Sequence, residues 1–139
     1  GPEASARSGF FGDGATEAFA RTAMEIRFAA GTDYGIGPAL TWFRFARPLV
    51  AGETPSPLQL VAAAADFGNG VSRVLEFDRH LFVNTDLTIH IHREPAGEWV
   101  LLDARTSVDP GGAGLAASTL SDESGAFGLA AQTLFVEPR

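Results

Sequence analysis

The sequence predicts an α+β fold in which an antiparallel sheet of about six strands wraps around one buried helix, the hotdog architecture. Three observations predict it. One helical segment has no polar face, strand-like alternation lies on both sides of it, and the later strand candidates are joined by short linkers of turn residues. A helix laid flat on one face of an α+β sheet is the rival arrangement, but such a helix keeps a wet side.

Taken in order, residues 1–14 read as a flexible lead-in, and Gly1-Pro2 resembles the scar of a protease cleavage. A single domain is expected over 15–139. Met24, Ile26 and Phe28 alternate with Glu25 and Arg27, which marks a strand with one buried face. Gly31 to Pro38 is turn material. The run "ALTWFRFARPL" follows, with Thr41, Phe43 and Phe45 on one face, so the two strands should form a hairpin.

The segment "SPLQLVAAAADFGNG" is the helix. Ser56 is its N-cap candidate, Pro57 suits the first helical position and Gln59 completes a capping box. Gly68 stands where a left-handed C-terminal residue is expected. Leu58, Leu60, Val61, Ala62 to Ala65 and Phe67 leave no polar face, which implies burial on all sides. After a less regular stretch over 71–83, strands are expected near 86–93, 98–107, 113–120 and 127–136. Their linkers "EPAG", "DPGG" and "SDESG" make consecutive strands antiparallel neighbours.

Composition excludes several functions. A formal net charge of −7 argues against nucleic acid as a partner, because phosphate binding needs clustered cations. The ten basic residues are all arginine, which removes mechanisms that need a catalytic amine. With no cysteine there is neither a thiolate nucleophile nor a disulfide framework. No apolar run approaches the roughly 20 residues of a membrane-spanning helix, and a cytoplasmic location is expected.

Five polar positions stand out. His90 and His92 lie two apart on a strand and so face one side, yet a metal site needs a third ligand and His80 is the only other histidine. Structural histidines, and no metal, are the reading. Asp86 opens the "DLTIHIH" alternation, as a strand-start residue or as a functional one. Asp66, in the last helical turn, opposes the helix dipole unless it has a further task or caps the helix locally. Gln132 in "GLAAQTLFVEP" shares a strand face with Ala130, Leu134 and Val136. A buried amide there must either face a site or bond to a neighbouring strand.

The order Asp86, His92-Arg93, Glu98-Trp99, Thr106, Gln132 resembles the C-terminal half of the acyl-CoA thioesterase II family, the double-hotdog enzymes, over about Ala23 to Val136. The resemblance implies hydrolysis of acyl-CoA thioesters without a cofactor. It also implies a hydrogen-bonded catalytic set of Asp86, Thr106 and Gln132 around a water, with Ser107 as the alternative hydroxyl. Backbone N–H groups at the helix N-terminus, near Pro57, Leu58 and Gln59, would hold the carbonyl oxygen. Two departures stand out. Glu94 intervenes between His92-Arg93 and Pro95, and family members carry two hotdog halves where this chain has one. Pairing with a second half, or formation of a homo-oligomer, is therefore expected. Two rivals remain open at this point. One is an acyl-thioester hydratase or dehydratase pairing Asp66 or Asp86 with His80; the other is a non-catalytic acyl-binding or dimerisation half.

Overall fold

Alternating apolar positions do build a curled antiparallel sheet. The computed structural model describes residues 22–30 and 36–139, so the lead-in over 1–14 and part of the Gly31–Pro38 turn lie outside the described residues. Seven strands run as β1 (Met24–Ala30), β2 (Ala39–Phe45), β3 (His80–Asn84), β4 (Thr88–Ile91), β5 (Val100–Val108), β6 (Ala113–Asp122) and β7 (Gly125–Pro138). Helices α1 (Pro57–Ala65) and α2 (Gly68–Val71) lie between β2 and β3. The sheet order is β1-β2-β5-β6-β7, and both β3 and β4 pair with β7 along its far edge.

The seventh strand comes from the 71–83 stretch, read from sequence as irregular. In β3 the usual signal is inverted: Leu81 and Val83 point outward, 36% and 44% exposed, while Phe82 packs toward the core beside Val136. The next strand is shorter than the expected 86–93 because the edge is broken. Asn84 faces Leu134 and Thr88 faces Ala131, so four steps on the edge span three on β7. One extra residue there is a β-bulge. Thr85 N–H still bonds to the Thr133 carbonyl at 2.9 Å, but the Thr133 N–H is taken by the Asp86 carboxylate at 3.0 Å.

Helix α1 starts as its sequence requires. The Ser56 hydroxyl accepts from Gln59 N–H, and the Gln59 side chain accepts from Ser56 N–H. Leu60, Val61, Ala64 and Ala65 are buried against Phe43, Leu102, Leu120 and Phe127. The opposite side is open: Leu58 is 54% exposed, and Ala62 and Asp66 follow it at four-residue spacing. The sheet covers one side of α1, so the all-apolar helix is half wrapped, with an uncovered stripe leading to Asp66.

On the outer face, Glu25 receives hydrogen bonds from Arg27 and Arg44, and both guanidiniums stack over Trp99 at 4.9 and 4.7 Å from its ring centre. Burial pushes the Glu25 carboxyl up, but the Arg44 and Arg27 guanidiniums outweigh it and leave the group below the ordinary carboxylate range. Trp99 meets Trp42 edge to face, which ties the β4–β5 connection to β2.

At Gly128 the β7 backbone lies close against β4. A Cβ there would sit 2.3 Å from the His90 carbonyl oxygen, a backbone atom that cannot turn away. Gly128→Ala is expected to push β4 off the edge at a cost of about 1–3 kcal/mol. The check is hydrogen exchange. Amides of β4 should lose protection in the variant while those of the β5–β6 ladder keep theirs, and an unchanged β4 would refute the assignment.

Candidate functional site

At the end of α1 the chain does not leave the sheet. Asp66, the C-cap, stays right-handed (φ −67°, ψ −19°), and Phe67 leads directly into the single turn of α2. Gly68 does not have the left-handed conformation expected from sequence. Its role is contact: a Cβ would lie 3.1 Å from Ser118 Oγ and 3.2 Å from Gln132 Oε1. A residue without a side chain lets α2 rest directly on the strands.

Beneath α2, Thr106, Ala116 and Gln132 form one row across β5, β6 and β7, all facing inward. The α1–α2 segment reaches both ends of that row. At the β7 end, Gln132 is 1% exposed and its amide is fully engaged. Gln132 Nε2 donates to the Asp66 carbonyl at 3.1 Å and to Asp66 Oδ1 at 3.2 Å, while Oε1 accepts from Asn69 N–H at 3.4 Å. Asn84, from the last position of β3, donates to the same Asp66 Oδ1 at 3.3 Å. At the β5 end, Thr106 Oγ1 lies 2.8 Å from the Ser72 hydroxyl, which donates to the Gly68 carbonyl at 2.7 Å.

Asp66, Thr106 and Gln132, all singled out from sequence, thus meet one helical segment. Asp86 does not join them. Its Oδ1 bonds to Thr133 N–H and its Oδ2 lies 3.5 Å from the Thr85 hydroxyl, so the carboxylate is exposed and spent on closing the bulge. The Thr133 backbone N–H holds it below the usual carboxylate range. The family resemblance put Asp86 in one set with Gln132, and continuing the β3 register would set residue 86 opposite residue 132, but the bulge redirects it. Ser107 faces outward opposite Leu115, away from the row.

The expected oxyanion group also lies elsewhere. Pro57, Leu58 and Gln59 start α1, and nine helical residues carry the chain about 13 Å to Asp66. There Gln59 caps Ser56, and Pro57 lines a cavity of about 290 Å³ with Arg44, Arg47 and Glu98. His90 and His92 are exposed, and His80 Nδ1 is buried with no partner among the described residues, bonding to neither Asp66 nor Asp86. Among the described residues no three His, Asp or Glu side chains gather as metal ligands.

Ser72, Asn69 and Asn84 escaped the sequence reading. Their signal is faint: polar residues in and after the short "DFGNGVS" stretch, where Asn69 and Ser72 are buried at 7% and 0% exposure. The assembled site has a carboxylate with Oδ1 held by two amides and Oδ2 without a partner among the described residues. A hydroxyl stands at the other end of the same row. Such a carboxylate can orient a water and accept its proton.

Comparison with known proteins agrees with this architecture. A family model described as the acyl-CoA thioesterase C-terminal domain matches residues 2–136. Among solved structures, the acyl-CoA thioesterase II TesB2 of Mycobacterium marinum is similar at a TM-score of 0.61 and 18% identity, over 84% of this chain and 50% of that one. A thioesterase from Haemophilus influenzae is similar at 0.65 and 13% identity, over 89% and 85%. The tesB protein of Mycobacterium avium subspecies paratuberculosis is similar at 0.60 and 16% identity, over 83% and 47%. The chain therefore spans about half the length of the two mycobacterial proteins, and the likeness to all three is one of hotdog fold. No curated protein sequence matches the chain.

Proposed function

The chain belongs to the acyl-CoA thioesterase C-terminal domain family, and on that premise we propose that it hydrolyses acyl-CoA thioesters, with Asp66 as the general base. The observation that carries this reading is the commitment of both Gln132 amide hydrogens to Asp66. One bond to the Asp66 main-chain carbonyl and one to its carboxylate fix both the backbone and the side chain of Asp66, and so the orientation of the carboxylate. Gln132 therefore positions the base, where sequence reasoning had it positioning the water.

In this mechanism a water lies between Asp66 Oδ2 and Thr106 Oγ1. Its oxygen attacks the thioester carbonyl carbon while Asp66 takes a proton. The tetrahedral intermediate collapses with cleavage of the carbon–sulfur bond, and the proton passes from Asp66 to the departing thiolate. The products are the free acid and CoA, and no external reagent is consumed. The uncovered Leu58–Ala62 stripe beside Asp66 suits a second hotdog half, from another subunit or another part of a longer protein, closing over the acyl group.

The test is release of free thiol from a panel of acyl-CoAs. Gln132→Met, which keeps the volume but not the amide, is expected to lower kcat about 10- to 100-fold, since the base loses its orientation. Unchanged turnover in that variant would contradict the role given to Gln132. Among the described residues neither Asp66 nor Asp86 bonds to His80, which weighs against the hydratase reading, and hydration of an enoyl-CoA without thiol release would revive it.

A further inference from the structure

Ser72 has no role in the mechanism above, yet it is 0% exposed and bonds directly to Thr106. A serine hydroxyl has one hydrogen and two lone pairs. That hydrogen is spent on the Gly68 carbonyl, which can only accept, at 2.7 Å. At 2.8 Å from Ser72 Oγ, Thr106 must then be the donor. Protons in this chain all point one way, from Thr106 to Ser72 to Gly68.

We infer that Ser72 is a positioning residue that makes Thr106 a pure hydrogen-bond acceptor toward the reacting water. This rests on the reading of Asp66 and Thr106 given above. With the Thr106 proton turned away, the water can place one hydrogen on Thr106 Oγ1 and the other on Asp66 Oδ2. Its lone pair is then free for the carbonyl carbon. Without Ser72 the Thr106 proton has no buried acceptor and turns to the water. It would engage one of the water's two lone pairs, weaken its nucleophilicity and rotate it away from the substrate.

The link is also mechanical. Ser72 is the C-cap of α2, and its hydroxyl and its backbone N–H, at 3.2 Å, both bond to the Gly68 carbonyl. Gly68 is the point where α2 rests on Ser118 and Gln132. One serine thus joins the hydroxyl on β5 to the segment that carries Asp66.

The test is a double-mutant cycle in the intact protein, with kcat, KM and the unfolding midpoint read for Ser72→Ala, Thr106→Val and the pair. Ser72→Thr serves as the hydroxyl-retaining control. Ser72→Ala is expected to lower kcat about 10- to 100-fold with KM little changed. In the Thr106→Val background the same change should have no further effect on kcat, while its effect on the unfolding midpoint persists. Ser72→Thr should recover most of the activity; should its added methyl strain the site, the cycle alone decides. Additive losses in kcat, or a Ser72→Ala change confined to stability, would overturn the proposal while leaving the Asp66 reading intact. Full activity in Thr106→Val would overturn both.

Discussion

Asp66→Asn is expected to lower kcat for thioester hydrolysis about 10²- to 10⁴-fold while the protein stays folded. The substitution conserves volume, and its remaining carbonyl oxygen can still accept from Gln132 Nε2 and Asn84 Nδ2. What it removes is the second carboxylate oxygen, the one able to take a proton. Because the hydrogen bonds that hold the side chain survive, the loss should appear in kcat with little change in KM. Asp86→Asn is the matched control. Its amide oxygen can still receive the Thr133 N–H, so the bulge is kept and turnover should be unchanged. The reverse pattern, with Asp86→Asn inactive and Asp66→Asn active, would return the base to the edge strand.

Asp122→Ala should cause the largest loss of stability among the single changes considered, about 3 kcal/mol, or roughly 10 °C in the thermal midpoint. The Asp122 side chain is 1% exposed and takes both arms of Arg93, at 2.7 and 2.8 Å. It also accepts from Ala96 N–H and Ser124 N–H, each at 2.8 Å. Arg93 reaches on to the Gly125 carbonyl at 2.7 Å, so the pair fastens the β6–β7 turn to the segment after β4. Truncation leaves two backbone N–H groups without their acceptor and a guanidinium without its counter-ion.

The same carboxylate should shape stability in acid. Chiefly the Arg93 guanidinium, against an opposing effect of burial, holds Asp122 well below the ordinary carboxylate range. A folded-state pKa below the unfolded one adds stability that is complete above the unfolded value, near 4, and is lost as the pH falls below it. Chemical denaturation of the wild type should therefore weaken from about pH 4 downward, and Asp122→Ala should flatten that slope. An identical slope in both proteins would assign the acid sensitivity elsewhere.

Much of the fold was legible because it depends on local chemistry. Ser56, Pro57 and Gln59 announce the start of α1 through hydrogen bonds that close within four residues. The turn linkers announce the β5–β6–β7 meander in the same way. Gln132 was conspicuous because an amide on an apolar strand face must find partners, and it did. β3 was hidden because Leu81 and Val83 turn to the outer face, against the usual burial of such residues. Ser72 and Asn84 were hidden because nothing in their sequence neighbourhood says that Thr106 and Asp66 lie beside them.

By itself the sequence determined the hotdog class, the helix and its N-terminal cap, and the β1–β2 and β5–β6–β7 hairpins; the hairpin expected at "EPAG" did not form, because β4 pairs with β7 and not with β5. Tertiary structure alone decided which aspartate faces Gln132. One extra residue on the edge between Asn84 and Thr88 breaks the register with β7 and spends Asp86 on a backbone N–H. At the same time Gly68 lets α2 settle onto the strands and bring Asp66 to Gln132. Periodicity reports which face a side chain is on, but pairing across a sheet is a long-range choice made by packing. A shift of one residue in that pairing took Asp86 away from Gln132 and left Asp66 as the carboxylate bonded to it.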